Sequence, residues 1–394
     1  MPDDVVITGL GIVSPIGCSE SAFWDSLRTG KSGAAPVVGM DTSDLPRRIA
    51  CQVREPVPVE RPMGRAAQLA VCAARQAIAG AGLSAADLAS ARCAVTVGTT
   101  MGETGFIEDR LSAPKEDWLS TAHMAEIIRG RPGSIAAHVR ADVGARGPAS
   151  DLYGACAAAN MAMVMARRDL LDGRCDIALT GGSDGFSRLA FIGFMRLRVM
   201  AASVCRPFDE QRDGLLVGEG AVMLVLERAS HARARGAPIR AGVVGGAIAC
   251  ENYHPTRPDP DGDGLGRATI AALQDAGLGP EDVEYVCAHG TGTPHNDAIE
   301  VKVMQRCFPK GVAFSSIKAL TGHPMGAASA MEAACCVLTL EHQTIIPTWH
   351  LRNVLQPCPL DAVQGAPRQA LVRYVLNNSA GFGGYNSSIV LAAA

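Results

Sequence analysis

Residues 151–163 have the sequence DLYGACAAANMAM, in which a short segment turns at Gly154 into a run of small apolar residues. That run predicts a helix over 157–172, and CDIALTGG (175–182) predicts a strand after it. Outward in both directions, short β-branched runs alternate with longer alanine-rich helical runs. Strands that alternate with helices pack as layers, so the sequence predicts an α/β fold.

The alternation is interrupted once. DVVITGLGIV (4–13) predicts a strand that runs into a glycine turn. RARGAPIR (233–240) predicts neither a helix nor a strand, and the alternation resumes with the strand AGVVGGAIAC (241–250). We therefore predict two parts of similar character, 1–237 and 238–394, although no repeat is visible in the sequence itself. The other predicted elements are helices 64–83, 266–276, 297–306 and 326–342, strands 92–100, 220–229 and 283–290, and two strands around a glycine turn in 370–394.

Composition excludes several classes of protein. With 48% hydrophobic and 19% charged residues the chain is globular, and a net charge of −3 gives no field to hold nucleic acid. The start, MPDDVVITGLG, lacks the basic region of a signal peptide, and no run of 18 apolar residues could span a membrane. Thirteen scattered cysteines without a CxxC pair favour a reducing compartment over disulfides or structural zinc, so we expect a cytoplasmic protein. GLGIVSPIG does not match a dinucleotide-binding motif, and no phosphate-binding P-loop is present.

Cys156 lies where the segment at 151–163 turns into its helix. With thirteen cysteines in the chain, packing is the ordinary explanation for any one of them. A thiol at a helix N-terminus, however, is expected to have a lowered pKa, which would make Cys156 a nucleophile near pH 7. The small neighbours Gly154, Ala155 and Ala157 would leave its sulfur accessible, although packing would explain them too.

Two further clusters carry groups that can do chemistry. CAHGTGTPHND (287–297) places His289 at the end of a strand, and SSIKALTGHPMGAASAMEA (315–333) places Lys318 and His323 before an alanine-rich helix. A histidine on such a loop is more often a surface or hydrogen-bonding residue than a catalyst. Each cluster alone is therefore a weak signal.

A last cluster, NNSAGFGGYNSS (377–388), surrounds Phe382 with glycines and would by itself be an ordinary hairpin turn. In this order and spacing, however, the clusters are specific. The chain resembles the β-ketoacyl synthases, the decarboxylating condensing enzymes of the thiolase superfamily, and most of all the Cys-His-His elongation class. The motifs that carry the resemblance are VVITGLGIVSPIG, GACAAAN, RPFDEQRDGLLVGEGA, YHPTRPDPDG, AHGTGTPHND, IKALTGHPMGAASAMEA and GFGGYN.

The resemblance implies a thiolase-like fold of two similar layered α-β-α-β-α halves and a decarboxylative Claisen condensation. Cys156 would take the acyl group from a carrier thioester, with the backbone N–H groups of Cys156 and Phe382 as oxyanion hole. His289 and His323 would hydrogen-bond the malonyl thioester carbonyl and stabilise the enolate that forms as CO₂ leaves. No metal or redox cofactor is implied, because the substrates travel on the phosphopantetheine arm of acyl carrier protein.

The supporting residues are implied in the same way. Lys318 would be a buried cation with Glu300 as its counter-ion, and Phe382 would be a mobile gate. The residues expected to touch the pantetheine arm are Thr256, Thr291 and Thr293. Arg206 and Arg65 are the candidates for docking the acidic carrier, and Met101 is the candidate for a side chain in the acyl tunnel.

The sequence departs from the family pattern around the site. Gly154 stands where threonine is common, Ala380 where an aromatic is frequent, and Tyr385 where threonine is usual. The stretch 110–133 lacks the usual apolar-proline pattern at the wall of the acyl pocket. These departures leave the acyl substrate open and favour a specialised pathway, such as a type II polyketide pathway, over general fatty-acid synthesis.

Two alternatives remain. A chain-length subunit of a heterodimeric polyketide synthase would resemble a ketosynthase but lack the cysteine, and Cys156 is present. A biosynthetic thiolase would carry a second reactive cysteine near the C-terminal glycine turn, and NNSAGFGGYN has none. The expected partners are acyl carrier protein and either a second copy of the chain or a ketosynthase-like chain-length subunit.

Overall fold

The computed structural model describes residues 4–59, 63–111 and 133–394, together with residues 114, 120, 124, 125, 127, 128 and 131. The strands are β1 (Val5–Val13), β2 (Ala34–Pro36), β3 (Ile49–Cys51), β4 (Cys93–Thr99), β5 (Ala149–Tyr153), β6 (Ile177–Asp184), β7 (Gly220–Arg228), β8 (Ala241–Cys250), β9 (Tyr285–Cys287), β10 (Ala313–Ser315), β11 (Thr344–Ile345), β12 (Asp361–Ala362), β13 (Arg368–Gln369), β14 (Tyr374–Gly381) and β15 (Tyr385–Ala393). The α-helices are α1 (Glu20–Thr29), α2 (Arg65–Gly80), α3 (Ala85–Ser90), α4 (Thr104–Leu111), α5 (Ser134–Val143), α6 (Ala158–Leu171), α7 (Arg188–Arg196), α8 (Ala229–Ala234), α9 (Asp263–Ala276), α10 (Pro294–Cys307), α11 (Lys318–Thr321) and α12 (Ala328–His342).

One predicted feature of the N-terminal strand is wrong. The glycine turn expected within 4–13 is absent, because β1 runs unbroken to Val13 with every residue buried. A β-carbon on Gly9 would lie 2.0 Å from the carbonyl oxygen of Ala77, and one on Gly11 would lie 1.8 Å from that of Ala73. These glycines therefore let α2 lie directly against β1. Most of the stretch 110–133, expected to line the acyl pocket, falls outside the described residues.

Eleven strands of the described part of the chain form one continuous sheet in the order β12-β10-β9-β14-β15-β8-β1-β7-β6-β4-β5. From the centre outward, β1 pairs antiparallel with β7, β7 antiparallel with β6, and β6 and β4 continue in parallel to β5. On the other side, β8 pairs antiparallel with β15, β15 antiparallel with β14, and β14 and β9 continue in parallel to β10. The two halves therefore share one topology, although their sequences show no repeat, and β1 joins β8 between them.

The two halves of the sheet and the helices form five layers, with helices outside each half of the sheet and between the two halves. One hydrophobic core lies between α2, α5 and the strands of the first half, and another lies between α9, α10 and the strands of the second half. The largest core surrounds α6 and α12, which pack against each other in the middle layer. Because both faces of the middle layer are covered by sheet, α12 is buried from Ala328 to Leu340.

The middle helices begin in the same unusual way. A 3₁₀ turn, Ala155–Ala157, leads into α6, and a second, Met325–Ala327, leads into α12. The first residue of each turn, Ala155 or Met325, has a φ of 49°, a left-handed conformation that is uncommon outside glycine. This sharp turn places Cys156 just before the buried first residues of α6, where the two halves meet.

Candidate active site

Cys156, His289 and His323 lie together at the base of one cavity of about 370 Å³. Their side chains reach it from separate parts of the fold, namely the turn before α6, the loop after β9 and the loop after α11. The three residues are 6%, 2% and 2% exposed, and the two imidazole rings lie 5.4 Å apart at 81°. The three residues that the motifs singled out are thus neighbours in space.

The turn around Cys156 is fixed by the C-terminal glycine segment. The hydroxyl of Ser379 donates to the carbonyl oxygen of Cys156 at 3.0 Å. Burial raises the pKa of the Cys156 thiol to about 12, while Lys318 and the backbone N–H of Phe382 lower it. The pKa is therefore raised rather than lowered as expected, because the loss of hydration on burial outweighs the effects of Lys318 and the Phe382 N–H.

The two predicted oxyanion donors are the backbone N–H groups of Cys156 and Phe382. The N–H of Phe382 is near enough to the Cys156 thiol to lower its pKa. A β-carbon on Gly381 would lie 3.0 Å from the backbone nitrogen of Cys156, so glycine keeps that donor uncovered. The phenyl ring of Phe382 packs at 5.7 Å against Phe194 on α7, which also lines the cavity. The gating motion itself stays a prediction.

Lys318 fixes which nitrogen of His289 carries the proton. Its ammonium lies 3.3 Å from Nδ1 of His289 and donates to the His289 carbonyl oxygen at 2.6 Å. An ammonium group can only donate, so Nδ1 accepts and the neutral ring holds its proton on Nε2. Burial, Lys318 and His323 lower the pKa of His289 well below its ordinary range, so the ring is neutral at pH 7. His289 therefore offers Nε2–H as a hydrogen-bond donor.

His323 is held by its backbone. Its N–H donates to Leu216 at 2.7 Å, and its carbonyl accepts from Gly218 at 2.9 Å. Burial and Lys318 lower the pKa of His323 well below its ordinary range. Nδ1 is buried with no partner among the described residues. Buried N–H groups without a partner are rarer than buried acceptors without one, which favours a proton on Nε2 here as well.

The predicted counter-ion of Lys318 is wrong. Lys318 pairs with Glu332 on α12, and both side chains are 1% exposed. Glu300 instead accepts the backbone N–H groups of His289 at 2.6 Å and Gly290 at 2.7 Å, and burial raises its pKa to about 7. Glu300 therefore shapes the turn that carries His289, whereas Glu332 supplies the charge opposite Lys318.

The three threonines expected to touch the pantetheine arm all line the cavity. Thr291 is buried, whereas Thr256 and Thr293 are half-buried. The hydroxyls of Thr291 and Thr293 lie 2.8 Å apart, and the carboxylate of Asp297 accepts the N–H of Thr291 at 3.1 Å. Asp297 thus holds this wall of the cavity from behind.

The residues predicted to dock the carrier and to enter the acyl tunnel do not line this cavity. Arg65 pairs with Glu219 at 2.9 Å and bonds the carbonyl of Val53, so it has a structural role, and its role in docking stays a prediction. Arg206 is half-buried beside Gln211 and does not line the cavity. Met101 does not line it either; its backbone N–H donates to Asp184 at 2.9 Å. The structure therefore brings none of these three residues to Cys156.

Sequence reasoning missed three buried residues of the site, Glu332, Ser379 and Asp184. Glu332 did leave a signal, because it is the charged residue within the otherwise uncharged run Ala328–Leu340 and a buried charge needs a partner. Asp184 accepts from Thr99, Thr100, Met101 and Gly326 at 2.6 to 2.9 Å, and burial raises its pKa to about 6.

Other features were searched in the described residues. All thirteen cysteines are free thiols. The described part of the chain contains no group of three or more histidine, cysteine or acidic side chains that could hold a metal. Among its helices, none combines the length and apolar character needed to cross a membrane.

The fold and the buried cysteine with two neutral histidines define an acyl-transferring enzyme of the thiolase-like class. The family model for the β-ketoacyl synthase N-terminal domain matches residues 2–232, and that for the C-terminal domain matches residues 240–352. The chain belongs to the β-ketoacyl synthase family.

Relatives align over nearly the whole chain. The chain is 34% identical to 3-oxoacyl-(acyl-carrier-protein) synthase 2 of Synechocystis sp., over 98% of this chain and 97% of the relative. It is 35% identical to the protein of the same name from Coxiella burnetii, over 98% of each. Among solved structures, the ishigamide ketosynthase/chain length factor matches with a TM-score of 0.94 and 37% identity, and a β-ketoacyl synthase from Burkholderia phymatum with 0.91 and 30%. Both structural matches cover the full length of both chains.

Proposed function

We propose that this protein is a β-ketoacyl-acyl carrier protein synthase that extends a cysteine-bound acyl group with malonyl-acyl carrier protein. The observation that carries the proposal is the meeting of Cys156, His289 and His323 in one cavity, with the proton of His289 fixed on Nε2 by Lys318. A nucleophile beside two neutral donors suits acyl transfer followed by enolate formation.

In the first half-reaction, the sulfur of Cys156 attacks the thioester carbonyl of an acyl-carrier. A sulfur–carbon bond forms, the carrier thiol leaves, and it takes up the proton that Cys156 releases. The N–H groups of Cys156 and Phe382 stabilise the oxyanion of the tetrahedral adduct. Because burial raises the pKa of Cys156, the thiol is protonated at rest and loses its proton as it attacks.

In the second half-reaction, His289 and His323 donate through Nε2 to the thioester carbonyl of malonyl-carrier. The bond to the carboxylate breaks, CO₂ leaves, and the electron pair becomes an enolate on the carbonyl that the histidines hold. The enolate carbon attacks the acyl group on Cys156, and the sulfur–carbon bond breaks as the β-ketoacyl thioester forms. Cys156 then regains a proton from solvent. The cycle needs no oxidant, reductant or metal, so we propose that no added cofactor takes part.

We propose that the enzyme works as a dimer in the cytoplasm. Within the described residues β5 forms one end of the large sheet, so one of its edges is left for a partner strand, and its Tyr153 is 45% exposed. Similar solved structures include ketosynthases paired with chain length factors, at 37% and 26% identity. That similarity favours, as a second candidate, a heterodimer in which this chain supplies the cysteine and a chain-length subunit pairs with it.

The proposal is tested on the two half-reactions separately. Cys156→Ala should form no acyl-enzyme and release no β-ketoacyl product, while Cys72→Ala, a half-buried thiol on α2, should behave like the wild type. His289→Ala and His323→Ala should still become acylated, as seen by intact-protein mass spectrometry, yet fail to release CO₂ from malonyl-carrier. Condensation by Cys156→Ala, or normal CO₂ release by both histidine variants, would overturn these assignments.

A further inference from the structure

Two arginines stand at the entrance of the cavity. The exposed residues that line it, here called the rim, are Leu197, Arg198, Arg257, Pro294 and His295. Neither guanidinium has a hydrogen-bond or ion-pair partner in the described part of the chain, although most arginines of this protein have one. The rim therefore carries two unpaired positive charges.

The backbone holds both arginines in place. Arg198 has a φ of 58°, a left-handed conformation that a non-glycine residue adopts at a cost and that is enriched at ligand sites. The loop that carries Arg257 is fixed by His254, whose Nδ1 accepts the N–H groups of Thr256 and Arg257, both at 3.1 Å. The two cations are thus carried by ordered backbone rather than by unconstrained loops.

One acidic side chain lines the cavity together with the two arginines, and it is hydrogen-bonded to other groups. Glu251 is the carboxylate among the described residues that line the cavity. It accepts the backbone N–H of Asp259 at 3.0 Å and the amide of Asn386 at 3.3 Å. In the described part of the chain Glu251 forms no ion pair with either arginine, so both guanidinium groups remain available to an anion from outside the chain.

The chemical groups that line the cavity change from its rim to its base. The arginines occupy the exposed rim, the hydroxyls of Thr256 and Thr293 lie at half-buried positions, and Cys156 lies at the buried base. A carrier arm has the same order, with a charged phosphodiester, then amides that exchange hydrogen bonds, then the reacting thioester. When the thioester is at Cys156, the phosphodiester must be nearer to the rim.

We propose that Arg198 and Arg257 bind the phosphodiester of the carrier arm. This assignment rests on the proposed function, because it takes the occupant of the cavity to be a phosphopantetheine thioester. Guanidinium groups form strong charge-assisted hydrogen bonds with phosphate oxygens, and a pair can hold one phosphodiester from two directions. The rim then selects substrates by their phosphate and places the arm before the thioester reaches Cys156.

The experiment compares two small acyl donors that differ only in the phosphate. Acylation of Cys156 is measured as kcat/KM with acyl-phosphopantetheine and with acyl-pantetheine, which lacks the phosphate. Arg198→Ala and Arg257→Ala should each lower the value for acyl-phosphopantetheine about 10-fold, and the double variant about 100-fold. The value for acyl-pantetheine should not change. The lysine variants should recover part of the loss, and Arg233→Ala, an exposed arginine on α8, is the matched control.

Each other outcome overturns the assignment. Equal losses with both donors would show damage to the cavity, and no loss with acyl-phosphopantetheine would show that the phosphate is not bound. A loss seen with intact acyl-carrier but not with acyl-phosphopantetheine would mean that the arginines bind acidic side chains of the carrier instead. Failure of the proposed function is distinguishable, because the wild type would then form no acyl-enzyme with any donor.

Discussion

Replacing Glu332 by glutamine should separate the two half-reactions. Glu332 and Lys318 form an ion pair in which both side chains are 1% exposed, and glutamine keeps the shape of Glu332 without its charge. The ammonium of Lys318 would then be buried without a counter-ion. Lys318 also fixes the proton of His289 on Nε2, so the substitution acts on the group that holds the malonyl carbonyl.

The expected magnitudes follow from burial. Removing one partner of a buried ion pair typically costs about 3–5 kcal/mol of unfolding free energy, because the remaining charge cannot be hydrated. The Lys318 ammonium also loses the carboxylate that holds it beside Nδ1 of His289. The proton of His289 is then fixed on Nε2 less firmly. Loss of one oriented donor typically costs about 100- to 1,000-fold in rate, and we expect that loss in CO₂ release.

Three measurements are made on the Glu332→Gln variant. Urea unfolding gives the free energy, mass spectrometry gives acylation of Cys156, and CO₂ release gives decarboxylation. Glu300→Gln is the matched control, because Glu300 bonds backbone N–H groups and should cost only about 1–3 kcal/mol. The double variant Lys318→Met/Glu332→Leu removes both charges of the pair, so much of the stability should return while decarboxylation does not.

Two results would refute this reasoning. One is normal CO₂ release by a Glu332→Gln variant that is folded, since the charge would then have no influence on His289. The other is a greater loss of stability in Glu300→Gln than in Glu332→Gln. That result would restore Glu300 as the counter-ion of Lys318, the assignment that the structure contradicts.

Three further predictions concern the same framework. Because burial lowers the pKa values of His289 and His323, their ¹³C-labelled rings should titrate by NMR well below the ordinary histidine value of about 6.5, and a midpoint near that value for either would contradict this. Unfolded histidines take up protons below about pH 6.5 and these two do not, so both should weaken the fold as pH falls below that value. Asp184→Asn should cost about 2–4 kcal/mol in urea unfolding, because an amide cannot accept all the hydrogen bonds that Asp184 accepts; a change below about 0.5 kcal/mol would contradict this. Arg240→Ala should cost about 1–3 kcal/mol by breaking its pairs with Glu20 and Glu341 while leaving Cys156 acylation unchanged, and slower acylation would show that the effect is not confined to stability.

Much of the fold could be predicted because apolar residues recur at a different spacing in its helices and in its strands. The helix predicted over 157–172 is observed as α6, Ala158–Leu171, and the strand predicted over 241–250 is β8. β5 was missed because it is an edge strand whose five residues are all half-buried or exposed, so it lacks a hydrophobic pattern. α7 was missed as well, since its phenylalanines and Gly193 give little helix propensity.

Only those residues of the site that belong to recognisable sequence motifs could be predicted. The motifs identified Cys156, His289 and His323, and the structure brings those three residues together. They could not identify the partner of Lys318, because Glu300 and Glu332 are both buried residues of helices and only the packing of α12 decides between them. The raised pKa of Cys156 was equally hidden, since local sequence does not reveal how completely a sulfur is buried.

The shared topology of the halves explains why the chain builds one site rather than two. The turn before α12 repeats the turn before α6, so Gly326 occupies the position that corresponds to Cys156. In that second position the backbone N–H of Gly326 donates to the carboxylate of Asp184 at 2.6 Å, so a protein side chain already occupies the donor. A β-carbon on Gly326 would also lie 2.6 Å from the nitrogen of Thr100, which leaves no room for a nucleophile. The second half instead supplies His289 and His323 to the cysteine of the first, so the proposed chemistry requires both halves to be packed together.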